Sequence, residues 1–573
     1  MASITKKKVG RGLYYYAREC KRVNGKPKVV WQKYLGRAED ILAAVTASRD
    51  AAPVAHALQG EAMVTEFGAV AALYDLCVRL QIAATIDRLV PKRGDGPSVG
   101  TYLQVASINR CVAPCSKARI GDWFEGTALR RLVPISRPQL TSQRFWDNMD
   151  RVSSEAICAI EAEVTQRAVQ EFGLDLSRVF FDATNFFTFI DTFNARCDLA
   201  RRGKSKEGRA ALRIVGVALL VTADFHVPLL HQTYPGNQTD CPTFASLTEQ
   251  VVERCRRLVA ETEHVTIVFD KGNNSQDNLD AVAATRYHFI GSLVPTQHTD
   301  LLAVPCTQFR SLAEDGLPGV SAYRTRKTVF GRDRTVLVTY NENLFVSQSK
   351  TLLREISKRQ QQFGELAARL RKWHTGEQRG GRPPTADGIR SKVAAWLGAR
   401  HMRDLFVVTV TEQNGLPALD YHFDQPAWER LQAQLLGKTI LFTDNDTWSD
   451  AQIVTGYRAQ HHIESGFRQM KDPHCIALRP QRHWTDQKVR VHVFTCVLAL
   501  MLLSLLRRTL HTAGIRVSIP RMVELLGGIQ EVTLLFPPAP GTDTPIARTS
   551  VTRMSPEQKG IYRVLDLQRY RSS

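Results

Sequence analysis

RVFFDATNFFTF, residues 178–189, sets a single carboxylate, Asp182, inside an apolar run that is short and rich in aromatic residues. A run of this kind reads as a central strand of an α/β sheet. An ionised side chain there is costly unless a partner or a cation compensates it. The pattern recurs outward along the chain in LRIVGVALLVTA (212–223), VPLLHQTY (227–234), HVTIVFD (264–270) and YHFIGSLV (287–294), with a helix expected from about Cys241 to Leu258. Asp270 closes one of these runs just before Lys-Gly-Asn-Asn, beyond the carboxyl end of a strand, where α/β sheets place ligands. Each aspartate also has a plainer reading. Alternation could turn Asp182 outward, and an aspartate near glycine is ordinary turn chemistry.

A later segment, SDAQIVTGYRAQHHIESGFRQMKDP (449–473), carries a third carboxylate. Ser449 with Gln452 makes a capping-box start and Pro473 cannot continue a helix, so one helix is expected from Asp450 to Lys471 or Asp472. At about 100° per residue, Tyr457, Gln460, Glu464 and Lys471 share one face. A solvated polar face explains any two of these as well. The His461-His462 pair lacks the HExxH spacing of a zinc site and reads as helix surface. If Asp182, Asp270 and Glu464 converge, three carboxylates could hold two divalent cations roughly 3.5–4 Å apart and catalyse phosphoryl transfer. Magnesium prefers such hard oxygen ligands.

The balance of 76 Lys and Arg against 56 Asp and Glu gives a net charge of +20. That points to a polyanion partner, nucleic acid first and an acidic membrane surface second. The apolar run Val491–Leu506 is short, contains His492 and reads as a buried core helix. Eleven scattered cysteines fit reduced thiols, and no export signal opens the chain. Asn24-Gly25 between two strand-like runs marks a hairpin in a basic element over 1–60. Helical spacing fills 61–175. The expected core occupies 176–294 and 436–515, broken by an α/β insertion over 295–435, and a Pro-rich tail covers 516–573.

Taken in order, these motifs resemble the bacterial insertion-sequence transposases of the Asp-Asp-Glu class, and within them the group marked by Tyr-x2-Arg-x3-Glu-x6-Lys. The match is Tyr457, Glu464 and Lys471 at intact spacing, with Gln460 where that group has Arg. VFFDATNFF, PGNQTD (235–240), VTIVFDKGNNS and the run RPQRHWTDQKVRVHVFTCVLALMLLSLL extend it, as does the opening YYYARECKRVNGKPK. The resemblance implies a ribonuclease-H-like core with a mixed sheet and Asp182, Asp270 and Glu464 as ligands of two Mg2+ ions, Mn2+ substituting. It implies that Tyr457 and Lys471 hold transposon-end DNA and that the chain cuts those ends and joins the freed 3′ hydroxyl to target DNA. Arg458 or Arg468 could supply the charge missing at Gln460. Phosphate contacts are expected from the loop of Arg201, Arg202, Lys204, Lys206 and Arg209, and recognition of the DNA ends from the first 170 or so residues. Synapsis of two ends calls for a homodimer on double-stranded DNA, cytoplasmic and nucleoid-associated, with no membrane. Two other readings stay open: a metal-dependent nuclease without strand transfer, and an inactive DNA-binding derivative, which Gln460 would suit.

Overall fold

A computed structural model describes residues 2–9, 12–23, 26–36, 62–92, 94, 96–209, 211–238, 253–254, 264–378, 380–479, 481–536 and 546–572. The chain divides into two compact units, residues 1–68 with 525–573, and residues 69–524.

In the first unit, β1 (Ala2–Val9), β2 (Gly12–Val23) and β3 (Lys26–Gly36) form an antiparallel sheet in that order. Asn24 and Gly25 lie outside the described residues, but Val23 pairs with Lys26, the register that a two-residue connection sets. A further strand, β4 (Ala62–Glu66), stands where the sequence reads as the start of a helical region.

The second unit begins with helices, among them α1 (Val99–Val112) and α2 (Ser154–Phe172). Serines cap both: Ser98 accepts from the Thr101 amide and Ser153 from the Ala156 amide. α1 is buried almost all round, which explains its weak amphipathic signal in sequence.

The apolar runs then become β5 (Arg178–Phe187), β6 (Ile214–Thr222), β7 (Pro228–Pro235), β8 (Thr266–Phe269) and β9 (His288–Leu293). After them come β10 (Arg310–Ser311), β11 (Val320–Val329), β12 (Arg332–Asn341) and the 33-residue α3 (Glu342–His374). The hairpin β13 (Phe406–Gln413) and β14 (Leu416–Phe423) leads back to β15 (Lys438–Thr443), α4 (Asp450–Arg458), α5 (His461–Lys471) and α6 (Asp486–Thr512). The helix expected over 241–258 lies almost wholly outside the described residues.

Among the described residues nine strands make one mixed sheet in the order β10-β11-β12-β15-β9-β8-β5-β6-β7. β5, β8 and β9 run parallel to one another and the other pairs are antiparallel. This places β10–β12 in the core sheet rather than in the insertion expected over 295–435. The apolar run Thr335–Thr339 of β12 is buried and pairs along β15, so it has the environment of a central strand. From α3 onward the intervening chain builds a core of its own, in which Phe363, Leu366, Met402, Phe406 and Trp428 pack together. α6 is long and apolar enough to cross a membrane, but 94% of its apolar stretch is buried inside the fold, as a core helix.

Beneath the segment that joins α5 to α6 lies a buried basic cluster. Arg110 on α1 donates to the carbonyls of Ile476, Ala477 and Cys115. Lys117 is buried 5.7 Å from the Phe145 ring centroid, and His483 and His492 stack edge to face with centroids 4.7 Å apart. Burial, aided by the Lys117 and Arg110 charges, holds His483 well below its ordinary range.

In the first unit the C-terminal segment is not a featureless tail. Its β16 (Gln530–Phe536) pairs antiparallel with β4 on one side and with β17 (Ile546–Val551) on the other. α7 (Pro556–Val564) follows, started by a Ser555–Gln558 capping box.

Candidate active site

Adjacent parallel strands bring the first two carboxylates level. Phe181 on β5 pairs with Phe269 on β8, so the next residues, Asp182 and Asp270, emerge side by side at the edge of the parallel register. Neighbouring strands lie about 4.8 Å apart, a spacing one cation can bridge. Asp182 is half-buried between the buried Phe181 and Ala183 and accepts the Ala183 amide at 2.7 Å. Asp270 precedes a short 3-10 turn, Lys271–Asn273, whose Asn273 amide donates to the Asp270 carbonyl and leaves the carboxylate out of the cap.

The third group arrives on the helical segment, which differs from its sequence reading. The expected single helix is two, α4 and α5, joined at Ala459–Gln460. There the ladder tightens to i→i+3 bonds, Gln460 N to Tyr457 O and Ile463 N to Gln460 O. The Ser449–Gln452 capping box forms as expected. Glu464 therefore stands in the first turn of α5, exposed, where a helix end favours negative charge. The side chains of His461 and His462 lie outside the described residues.

Each helix has its own attachment to the sheet. Gly456 lets α4 approach β9 closely, since a Cβ there would lie 2.9 Å from Ile290 Cδ1. The Tyr457 hydroxyl then sits 2.7 Å from Ser292 Oγ and 3.4 Å from Asp270 Oδ1. Burial, with the Asp270 and Asp182 charges beside it, pushes that hydroxyl up to about 12, so it remains a donor. On α5, Lys471 Nζ donates to Thr184 Oγ1 and to the Asn185 carbonyl, both at 2.8 Å, on the strand that bears Asp182. Glu207 pairs with Lys471 at 3.2 Å and with Arg479 at 3.4 Å. Burial lowers the Lys471 ammonium and Glu207 opposes that shift.

One cleft is lined by Asp182, Asp270, Glu464, Tyr457, Arg458 and Gln460, with Thr339, Asn341 and Thr439 from the neighbouring strands. Arg468 is exposed and does not line it. In the basic loop, Arg202 and Lys204 are exposed. Arg201 pairs with Asp198, Lys206 donates to the Ala183 carbonyl at 2.6 Å, and Arg209 lies over the Phe187 ring. The loop is thus tied to β5 beside Asp182. A second pocket shares Asp270, Tyr457 and Thr439 with the cleft and adds Lys271, Arg400 and Lys438. Sequence reasoning did not find Ser292 or Glu207, since their partners lie 165 and 264 residues away along the chain.

The acidic groups of the cleft are three carboxylates, with hydroxyl and amide oxygens around them, the hard-oxygen chemistry a divalent cation selects. Among the described residues no three His, Cys, Asp or Glu side chains are close enough together to hold one ion. Of the three carboxylates Glu464 is the exposed one, while Asp182 and Asp270 are half-buried.

A sequence-family model described as a transposase DDE domain matches residues 177–502, more than half of the chain. The chain belongs to that family. The DDE domain so matched runs from β5 into α6 and contains all three carboxylates. Two of the solved structures to which the chain is similar are transposase complexes. A piggyBac transposase synaptic complex with hairpin DNA is 8% identical, with 79% of each chain covered and a TM-score of 0.38. A Mos1 transposase paired-end complex with a left transposon end is 11% identical, covers 35% of this chain and 60% of that one, and has a TM-score of 0.14. No curated protein sequence matches the chain.

Proposed function

We propose that this DDE-family protein is a bacterial insertion-sequence transposase that cuts transposon ends and joins the freed 3′ hydroxyl to target DNA. The observation that carries the reading is the meeting of Asp182, Asp270 and Glu464 on one cleft with Tyr457 bonded toward Asp270. A ribonuclease-H-like core is supported by antiparallel β5-β6-β7 continued by parallel β8 and β9.

Asp182, Asp270 and Glu464 would hold magnesium or manganese, which supplies activation of the attacking oxygen and neutralisation of charge on the leaving one. The chain's own contribution is placement. Tyr457, kept protonated, offers a hydrogen bond at the edge of the cleft. Lys471, bonded to β5 and paired with Glu207 outside the lining of the cleft, would act on DNA by holding the strand beside Asp182, and Arg458 would add charge where Gln460 cannot. Arg202 and Lys204 extend the basic surface toward flanking DNA. A homodimer would hold two ends at once.

The test is cleavage of a labelled duplex carrying the element's own terminal repeat, with Mg2+ or Mn2+, by the wild-type protein and by Glu464→Gln. Nicking at the repeat boundary is expected from the first and not from the second, and equal nicking by both would overturn the assignment. Joining of the cut 3′ end to a second duplex separates a transposase from a nuclease.

A further inference from the structure

We propose that Phe193 is a wedge that inserts into duplex DNA flanking the cleft, a contact that rests on the transposase reading. Phe193 is 93% exposed, the most exposed of the large hydrophobic residues in the described chain, and Phe189 and Trp484 beside its loop are 54% and 43% exposed. Isolated exposed apolar residues are common, but three on one short surface call for an occupant.

The loop presents Phe193 on a built support. Phe193 N donates to Asp191 Oδ1 and Arg196 N to Asn194 Oδ1, both at 2.7 Å. Asn194 Nδ2 reaches the Trp484 carbonyl at 3.2 Å, and Arg213 donates to the carbonyls of Asn194 and Thr192. Phe189 N bonds the Gln481 carbonyl at 2.8 Å. With its backbone secured, the loop loses little conformational freedom on binding.

The surroundings select a polyanion. Arg196 lies 5.3 Å over the Trp484 ring, and Lys488 approaches the same ring at 5.7 Å. Of the nearby carboxylates, Asp191 caps the loop itself, Asp198 pairs with Arg201, and Asp486 accepts the Leu199 amide. At the end of β5, next to the loop, Arg209 and Arg479 flank Phe187, and Arg479 also pairs with Glu207. Asp182 and Phe187 are five strand positions apart, roughly 16 Å, and on opposite faces of β5, so the loop at the end of the strand lies about five base pairs or more from the reacting phosphate. An exposed apolar ring amid cations is the equipment of proteins that part a base step and bend the helix.

The experiment uses the full chain and a duplex of the terminal repeat with its flank, fluorophores at both ends reporting the bend by energy transfer. 2-Aminopurine is placed in turn at each step of the flank. Wild type is expected to bend the duplex and brighten one 2-aminopurine position. Phe193→Ala is expected to lose both, to bind roughly tenfold more weakly, and to keep the same salt dependence because no charge is removed. Phe193→Leu should retain part of the bend. A Phe193→Ala protein that binds and bends as wild type does would overturn the wedge. So would a change in its oligomeric state without DNA, which would make the patch an interface between copies. Absence of any end binding by wild type would instead sink the transposase reading, and the wedge with it.

Discussion

Replacing Lys117 by Met should make the protein more stable at neutral pH and flatten its pH dependence above that. Burial, then the Arg110 charge, brings the Lys117 ammonium from an ordinary 10.5 down to about 7. No hydrogen bond reaches its Nζ. Between these two values the unfolded chain binds a proton that the folded chain does not, so stability rises with pH across the window and the penalty is fullest at pH 7 and below. At about 1.36 kcal/mol per pH unit, moving from pH 7 to pH 9 should strengthen wild type by about 2 kcal/mol relative to Lys117→Met. At pH 7 the Met variant should lead by on the order of 3–4 kcal/mol, since Met fills a similar path without a charge. Urea unfolding followed by tryptophan fluorescence at pH 7, 8 and 9 on both proteins measures the difference, and titrations of groups remote from Lys117 cancel. Parallel stability–pH profiles for the two proteins would refute the argument.

Lys471→Met removes two hydrogen bonds to β5 and the pairing with Glu207, and should cost on the order of 2–4 kcal/mol. Adding Glu207→Gln should recover part of that loss in urea unfolding, and strictly additive effects would show that the two side chains are not coupled. Arg202→Ala with Lys204→Ala should weaken binding of the terminal-repeat duplex and lower the slope of log affinity against log salt by about 0.9 for each phosphate that the variant no longer neutralises. An unchanged slope in a salt titration would remove the loop from the DNA surface.

Strands whose environment is uniform are easily read from sequence. β6 is buried at every position and β8 likewise, so their residues are continuously apolar and their ends sharp. Asp182 and Asp270 stand out for the same reason, as charges where the pattern allows none. What depends on distant partners is not readable. β4 pairs with β16 across more than 460 residues, and neither segment alone has a strand pattern that demands it. β12 looks like half of an isolated hairpin because β15, its other neighbour, follows only after the insertion. The break at Ala459–Gln460 has no proline or glycine to announce it, and both residues keep helical dihedrals, so the change of hydrogen-bond ladder leaves no trace in composition.

That break changes the mechanics of the cleft. On one straight rod, Tyr457 and Glu464 would be about 10 Å apart along a shared axis, and any shift of one would carry the other. The joint gives each its own mount: Tyr457 is clamped to β9 through Ser292, while the helix that bears Glu464 is tied to β5 through Lys471. Ile463, Phe467 and Met470 seat the buried face of α5 in the core, so the backbone under Glu464 is held as firmly as that under Tyr457. What distinguishes the two is exposure: the tyrosine ends on a sheet strand, while the carboxylate stands on the exposed face of its helix, with only side-chain torsions between it and the cleft.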